Sequence, residues 1–96
     1  MKSVDDKFYE RADEHINLSN KQINEQETMG KVSASNMYAT ARFNAWVSAC
    51  GWVNSKEMAA SKEKTIEYFV TEYRKMLEEN IDDYISNFET YMGVGK

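Results

Sequence analysis

The chain contains no proline, and only four glycines interrupt it. Without proline nothing bars a backbone N–H from a helical ladder, so helix length is limited by glycine and by capping residues. Gly93 and Gly95 lie in the last four residues, leaving Gly30 and Gly51 to divide the rest into three blocks. A glycine just past a periodic apolar segment reads as a helix stop, because it enters the left-handed backbone region cheaply. The sequence therefore predicts an all-α protein, a three-helix up-down bundle, with helices at about 4–28, 33–50 and 55–92. It shows no internal repeat, no low-complexity linker and no strand-like alternation.

Start signals support this division. Ser33 is placed to cap the second helix, with Val32 stapled onto Met37. Asn54 is placed to cap the third, with Glu57 completing a capping box and Val53 stapled onto Met58. Trp52 is placed to fold back onto the end of the second helix in a Schellman turn.

The three helices differ in pattern. On the first, Phe8, Ala12, Ile16, Ser19 and Ile23 share a face, and asparagines and glutamines crowd its second half. The second has two apolar sectors, one small (Ala34, Tyr38, Ala41, Ala45, Ala49) and one bulky (Ala39, Phe43, Trp46, Cys50). Two sectors imply two packing partners and a central place, with Asn36, Thr40, Asn44 and Ser48 facing solvent. The third is long and one-sided, running from Ile66 through Tyr73, Leu77, Ile81 and Tyr84 to Phe88 and Tyr91. Residues 65–92 would extend about 42 Å, against a radius of gyration of about 12.5 Å for a compact chain of this length. The last helix is thus expected to overhang, with room for a kink at residues 59–63, where apolar residues are sparse.

The segments Phe8–Leu18 (FYERADEHINL), Met37–Trp46 (MYATARFNAW), Ile66–Phe69 and Tyr73–Leu77 resemble an uncharacterised proteobacterial family of short proteins, a domain of unknown function. The resemblance runs from about Phe8 to Tyr91. It implies a bacterial, cytoplasmic, stand-alone helical protein and brings no activity or site residue with it.

Size and charge narrow the classes. At 96 residues one domain is expected, burying about 65% of its unfolded surface. Twelve Lys and Arg against sixteen Asp and Glu give a net charge of −4, which argues against binding nucleic acid or anionic membranes. One cysteine excludes an internal disulfide and a cysteine-rich zinc site. The N-terminus lacks a signal peptide's apolar run, and no segment approaches the length of a membrane span.

Arg42 stands between the two sectors of the central helix, with Tyr38 and Trp46 one turn away on either side, near enough to stack on a guanidinium. No Asp or Glu occurs from Gly30 to Lys56, so its countercharge must come from another helix, solvent, a second subunit or an external anion. His15, the one histidine, falls on the apolar edge of the first helix and reads as a hydrogen-bonded structural residue. It lacks the Glu-x-x-His setting of a di-metal bundle. Cys50, at a helix C-terminus, reads as core packing rather than a reactive thiolate. Tyr68 points away from the apolar face of its helix. Asn80 lies on that face, where a polar residue can set register or partner number.

No catalytic constellation, metal site or cofactor motif is present. The leading expectation is a non-enzymatic interaction or structural protein that self-associates through Ile81, Tyr84, Ile85 and Phe88. The alternative is a small-ligand or anion-binding module built on Arg42, Tyr38 and Trp46, with His15 opposite.

Overall fold

A computed structural model describes residues 4–93, and among them every regular element is an α-helix. The helices are α1 (Phe8–Gln22), α2 (Met29–Ala49), α3 (Ser55–Ala60), α4 (Lys62–Ser86) and α5 (Phe88–Met92). They fall into two units, Met1–Trp52 and Val53–Lys96.

In the first unit α1 and α2 are shorter and longer, respectively, than the sequence predicts. α1 begins four residues later than expected, after a turn in which Asp5 accepts from the backbone N–H of Lys7 (3.1 Å) and Phe8 N donates to the Asp5 carbonyl (3.1 Å). It ends at Gln22 rather than near residue 28. There the side chain of Asn24 accepts from the N–H groups of Gln26 and Glu27, both at 2.9 Å. This local turn competes with helix for the same amides, as short polar side chains do.

α2 in turn starts at Met29, so Gly30 lies inside its first turn and does not stop a helix. The cap is Thr28 rather than Ser33, its hydroxyl accepting from Lys31 N at 3.3 Å. A Cβ on Gly30 would meet nothing nearer than Thr28 Oγ1 at 4.0 Å, so the position does not require glycine. The far end of α2 also departs from expectation. Gly51 N donates to the Ser48 carbonyl and Trp52 N to that of Ala49, two successive three-residue turns. Gly93 is the one glycine with positive φ among those described, so α2 does not end in the expected Schellman turn.

α1 and α2 meet through a narrow seam. Val32 is the one buried apolar residue among those described, 5% exposed. Phe8, Ala12 and Ser19 of the predicted α1 stripe are half-buried, whereas Ile16 and Ile23 remain exposed. The Nδ2 of Asn36 donates to Ser19 Oγ at 2.7 Å, seventeen residues away in sequence.

In the second unit the predicted cap is present. Asn54 Oδ1 accepts from Glu57 N at 2.9 Å, and Glu57 Oε1 accepts from Val53 N at 3.0 Å. The carboxylate thus reaches the amide one residue before the cap. The expected Val53–Met58 staple does not close, because Val53 is almost fully exposed. The long third helix is interrupted at Ser61 (φ −100°, ψ 4°), within the expected 59–63 segment. A second interruption, at Asn87 (φ −121°, ψ 27°), has no counterpart in the sequence expectation. Asn87 Nδ2 donates to the Asp83 carbonyl and to Asp83 Oδ1, both at 3.0 Å. Gly93, in the left-handed region (φ 68°, ψ 23°), ends α5 as a glycine stop should. Among the described residues no helix is long and apolar enough to cross a membrane.

Candidate functional site

Arg42 sits in the middle of α2, with Tyr38 and Trp46 one turn before and after it. All three side chains are exposed. Arg42 makes no hydrogen bond, ion pair or ring contact among the described residues. The Trp46 ring instead leans on Phe43, with centroids 5.7 Å apart and a 38° interplanar angle. The predicted stacking wall is therefore a set of neighbours along one helix, not a closed arrangement. His15 is exposed on α1, so it is not the buried, hydrogen-bonded residue expected. A shallow depression of about 250 Å³ lies nearby in sequence, lined by Gln22, Glu27, Lys31, Val32 and Ser35. It includes neither Arg42 nor His15.

The rest of α2 keeps Asn36 and Thr40 exposed as predicted and otherwise departs from the predicted orientation. Asn44 and Ser48, read as solvent-facing, are half-buried, and Asn36 bonds back to α1. Phe43 and Trp46, read as a packing sector, are 62% and 61% exposed. Cys50, read as core, is a free and exposed thiol. Periodicity identified the sectors of this helix but could not say which one faces inward.

On α4 a continuous apolar stripe is exposed. Ile66, Val70, Tyr73, Leu77, Ile81 and Tyr84 are each 42–60% exposed. Their neighbours on the adjacent side, Thr65, Phe69, Glu72 and Met76, are half-buried. The predicted interface residues Ile81, Tyr84, Ile85 and Phe88 occupy the end of this stripe and its continuation in α5, and all are exposed. Asn80 does not carry a free amide into the stripe, because its Nδ2 donates to the Met76 carbonyl at 2.8 Å. Tyr68 is exposed and packs edge-on against Phe69, with centroids 5.1 Å apart.

A small cluster absent from the sequence expectations locks α5 to the end of α4. The Tyr91 hydroxyl donates to the Asp83 carboxylate (3.1 and 3.3 Å), and its ring meets Tyr84 edge-on, 4.9 Å between centroids. The hydrogen bond to Asp83, with the repulsion of its charge, holds the Tyr91 hydroxyl pKa above its ordinary value. The i, i+8 spacing of Asp83 and Tyr91 became meaningful only once Asn87 bent the chain.

In the first unit Arg11 grips Asp5 with two parallel bonds, Nη1 to Oδ1 at 3.0 Å and Nη2 to Oδ2 at 2.8 Å. That charge-assisted contact holds the Asp5 pKa down at about 2. Among the described residues no group of three or more His, Cys, Asp or Glu side chains is placed to hold a metal ion.

Comparison with known proteins agrees on fold and is silent on activity. The chain is similar over 99% of its length to the whole of protein NB7890A from Shewanella sp, solved by NMR, at 38% identity and a TM-score of 0.80. No curated protein matches it. The model of a family described as a protein of unknown function (DUF3144) matches residues 8–85. An all-helical chain matched over that span belongs to the DUF3144 family.

Proposed function

We propose that this chain is a non-enzymatic helical interaction protein of the bacterial cytoplasm that works as a homo-oligomer. The observation that carries this reading is how few of the described apolar residues are buried within a single copy. Val32 alone is buried among the described apolar residues, while Phe43, Trp46, Tyr84 and Phe88 are each more than half exposed. Isolated exposed apolar side chains are ordinary, but a contiguous stripe of them marks a contact surface. The net charge of −4 weighs against nucleic acid or an anionic membrane as the partner.

The contact surface is the stripe ending in Ile81, Tyr84, Ile85 and Phe88. Native mass spectrometry of the purified chain is expected to show a dimer or higher species. Tyr84→Asp with Phe88→Asp is expected to return it to a monomer with unchanged helicity by circular dichroism. A double variant that keeps the wild-type mass and fold would remove this surface as the interface.

A second reading has one specific support, the exposed Arg42 without a countercharge. It makes α2 an anion-binding surface, with Tyr38 and Trp46 flanking the guanidinium and His15 supplying a further contact. Titration with inorganic phosphate, followed by the Trp46 indole resonance, tests it. A saturable shift abolished by Arg42→Gln supports it, and a linear drift ends it.

A further inference from the structure

The α4 stripe is not the one open surface of this chain. On α2, Asn36 bonds back to Ser19 of α1, and Asn44 and Ser48 on the same side are half-buried. The opposite side presents Tyr38, Arg42 and Trp46 at successive turns, with Ala45 and Ala49 beside them. Tyr38 is 70% exposed and Trp46 61%, and Phe43, whose ring leans on Trp46, extends the face at one edge. Tryptophan, tyrosine and arginine are the side chains that most often dominate the binding energy of an interface.

We infer that this face of α2 docks an acidic amphipathic helix of another protein, with a carboxylate of that helix held by Arg42 between Tyr38 and Trp46. This rests on the anion-binding reading of Arg42, names the carrier of the anion, and is independent of the α4 stripe.

Charge selects the partner. From Gly30 to Lys56 there are three basic residues, Lys31, Arg42 and Lys56, and no Asp or Glu, in a chain whose net charge is −4. Lys31 Nζ reaches the Gln26 carbonyl at 3.4 Å, whereas Arg42 has no partner among the described residues. A wholly apolar partner would strip water from that guanidinium and leave it unpaired, a cost that aromatic burial does not offset. A carboxylate removes the cost, because its two oxygens match the guanidinium fork. Arg11 already holds Asp5 in that manner. A second α2 cannot fill the role, since it brings another Arg42 and no carboxylate.

Shape and area select a single helix. Tyr38 to Ala49 spans about 17 Å, three turns of helix. Ala45 and Ala49 let a second backbone approach while the aromatic rings pack into its grooves. At their present exposure Tyr38, Phe43 and Trp46 together offer about 300–500 Å². That is below the ~800 Å² per partner of a standard interface and places the contact among the weak, transient ones.

The Trp46 indole resonance reads docking directly. The probe is a synthetic helix of about 18 residues, with leucines along one face and glutamates flanking them. Its counterpart with lysine in place of glutamate is the control. The glutamate peptide is expected to give a saturable shift with a micromolar midpoint, weakened about tenfold or more by Arg42→Gln. Arg42→Glu is expected to invert the preference, taking the lysine peptide over the glutamate one at unchanged helicity by circular dichroism. Equal binding of both peptides by the wild type, or no saturable shift with either, would overturn the proposal. Saturable binding of inorganic phosphate without binding of the glutamate peptide would also overturn it, and would leave the anion-binding reading standing. Peptide shifts confined to α4 would place docking on the stripe instead. A Trp46 shift on dilution of the chain alone would assign the face to a second copy, and either result refutes an acidic helix on α2.

Discussion

The two units are held by different kinds of contact. In the first, the Asn36–Ser19 bond joins α2 to α1 across seventeen positions, and Val32 of α2 is the buried apolar side chain. In the second, the hydrogen bonds that shape the chain are close in sequence. Asn54 with Glu57, Asn87 with Asp83, and Tyr91 with Asp83 span three, four and eight residues. The difference teaches where each unit is vulnerable. A hairpin closed by one buried side chain fails at that side chain. A helix series closed by local bonds loses one end at a time, because each bond governs only its own turn.

The largest expected effect is at Val32. Val32→Ala removes two methyl groups from the most buried position and is expected to cost about 2 kcal/mol in urea unfolding of the α1–α2 unit. A loss below about 0.5 kcal/mol would mean that the seam is held elsewhere and would end the contrast. Next is the α3 cap. Asn54→Ala is expected to cost about 1 kcal/mol, with amide exchange accelerated at the start of α3 and unchanged in α1 and α2. Exchange that rises equally in both units would show that they unfold as one, and the comparison would have to be withdrawn.

The smallest effect sharpens the contrast at the other end of the chain. Asp5 is exposed and its pKa is lowered to about 2 by Arg11. A depressed carboxylate pKa means that its contribution is complete above the ordinary value of 3.8 and is lost as pH falls through about 2. Solvent screens this surface pair, so its weight in stability is small. A side-chain NMR titration is expected to show a midpoint near 2, returning towards 3.8 in Arg11→Gln. A wild-type midpoint already near 3.8 would show that the Asp5–Arg11 grip does not persist in solution.

How much could be read in advance follows the same division. The Asn54–Glu57 cap, the break at 59–63 and the stop at Gly93 were legible because their chemistry is complete within a few residues. The α1 end was not, although Asn24 was in plain view, because a turn and a further helical turn compete for the same amides with similar energies. Gly30 misled for a related reason. A glycine near a helix start costs little once Thr28 satisfies one of the open amides. At the candidate sites, the Ile81–Phe88 surface was recognisable as an apolar stripe. The exposure of His15 and Cys50 was not.

By itself the sequence determined that this chain is helical, where its third block begins, first breaks and ends, and which residues share a face, but not the second break at Asn87. Those properties depend on backbone bonding and on a 3.6-residue period, both set by near neighbours. Only the tertiary structure decided which face is turned inward. Asn44 and Ser48 are half-buried while Phe43 and Trp46 are open, an outcome that no residue of α2 dictates locally. Burial depends on surfaces brought together from distant positions, and a helix with apolar residues on two sides satisfies its own backbone equally well in either orientation.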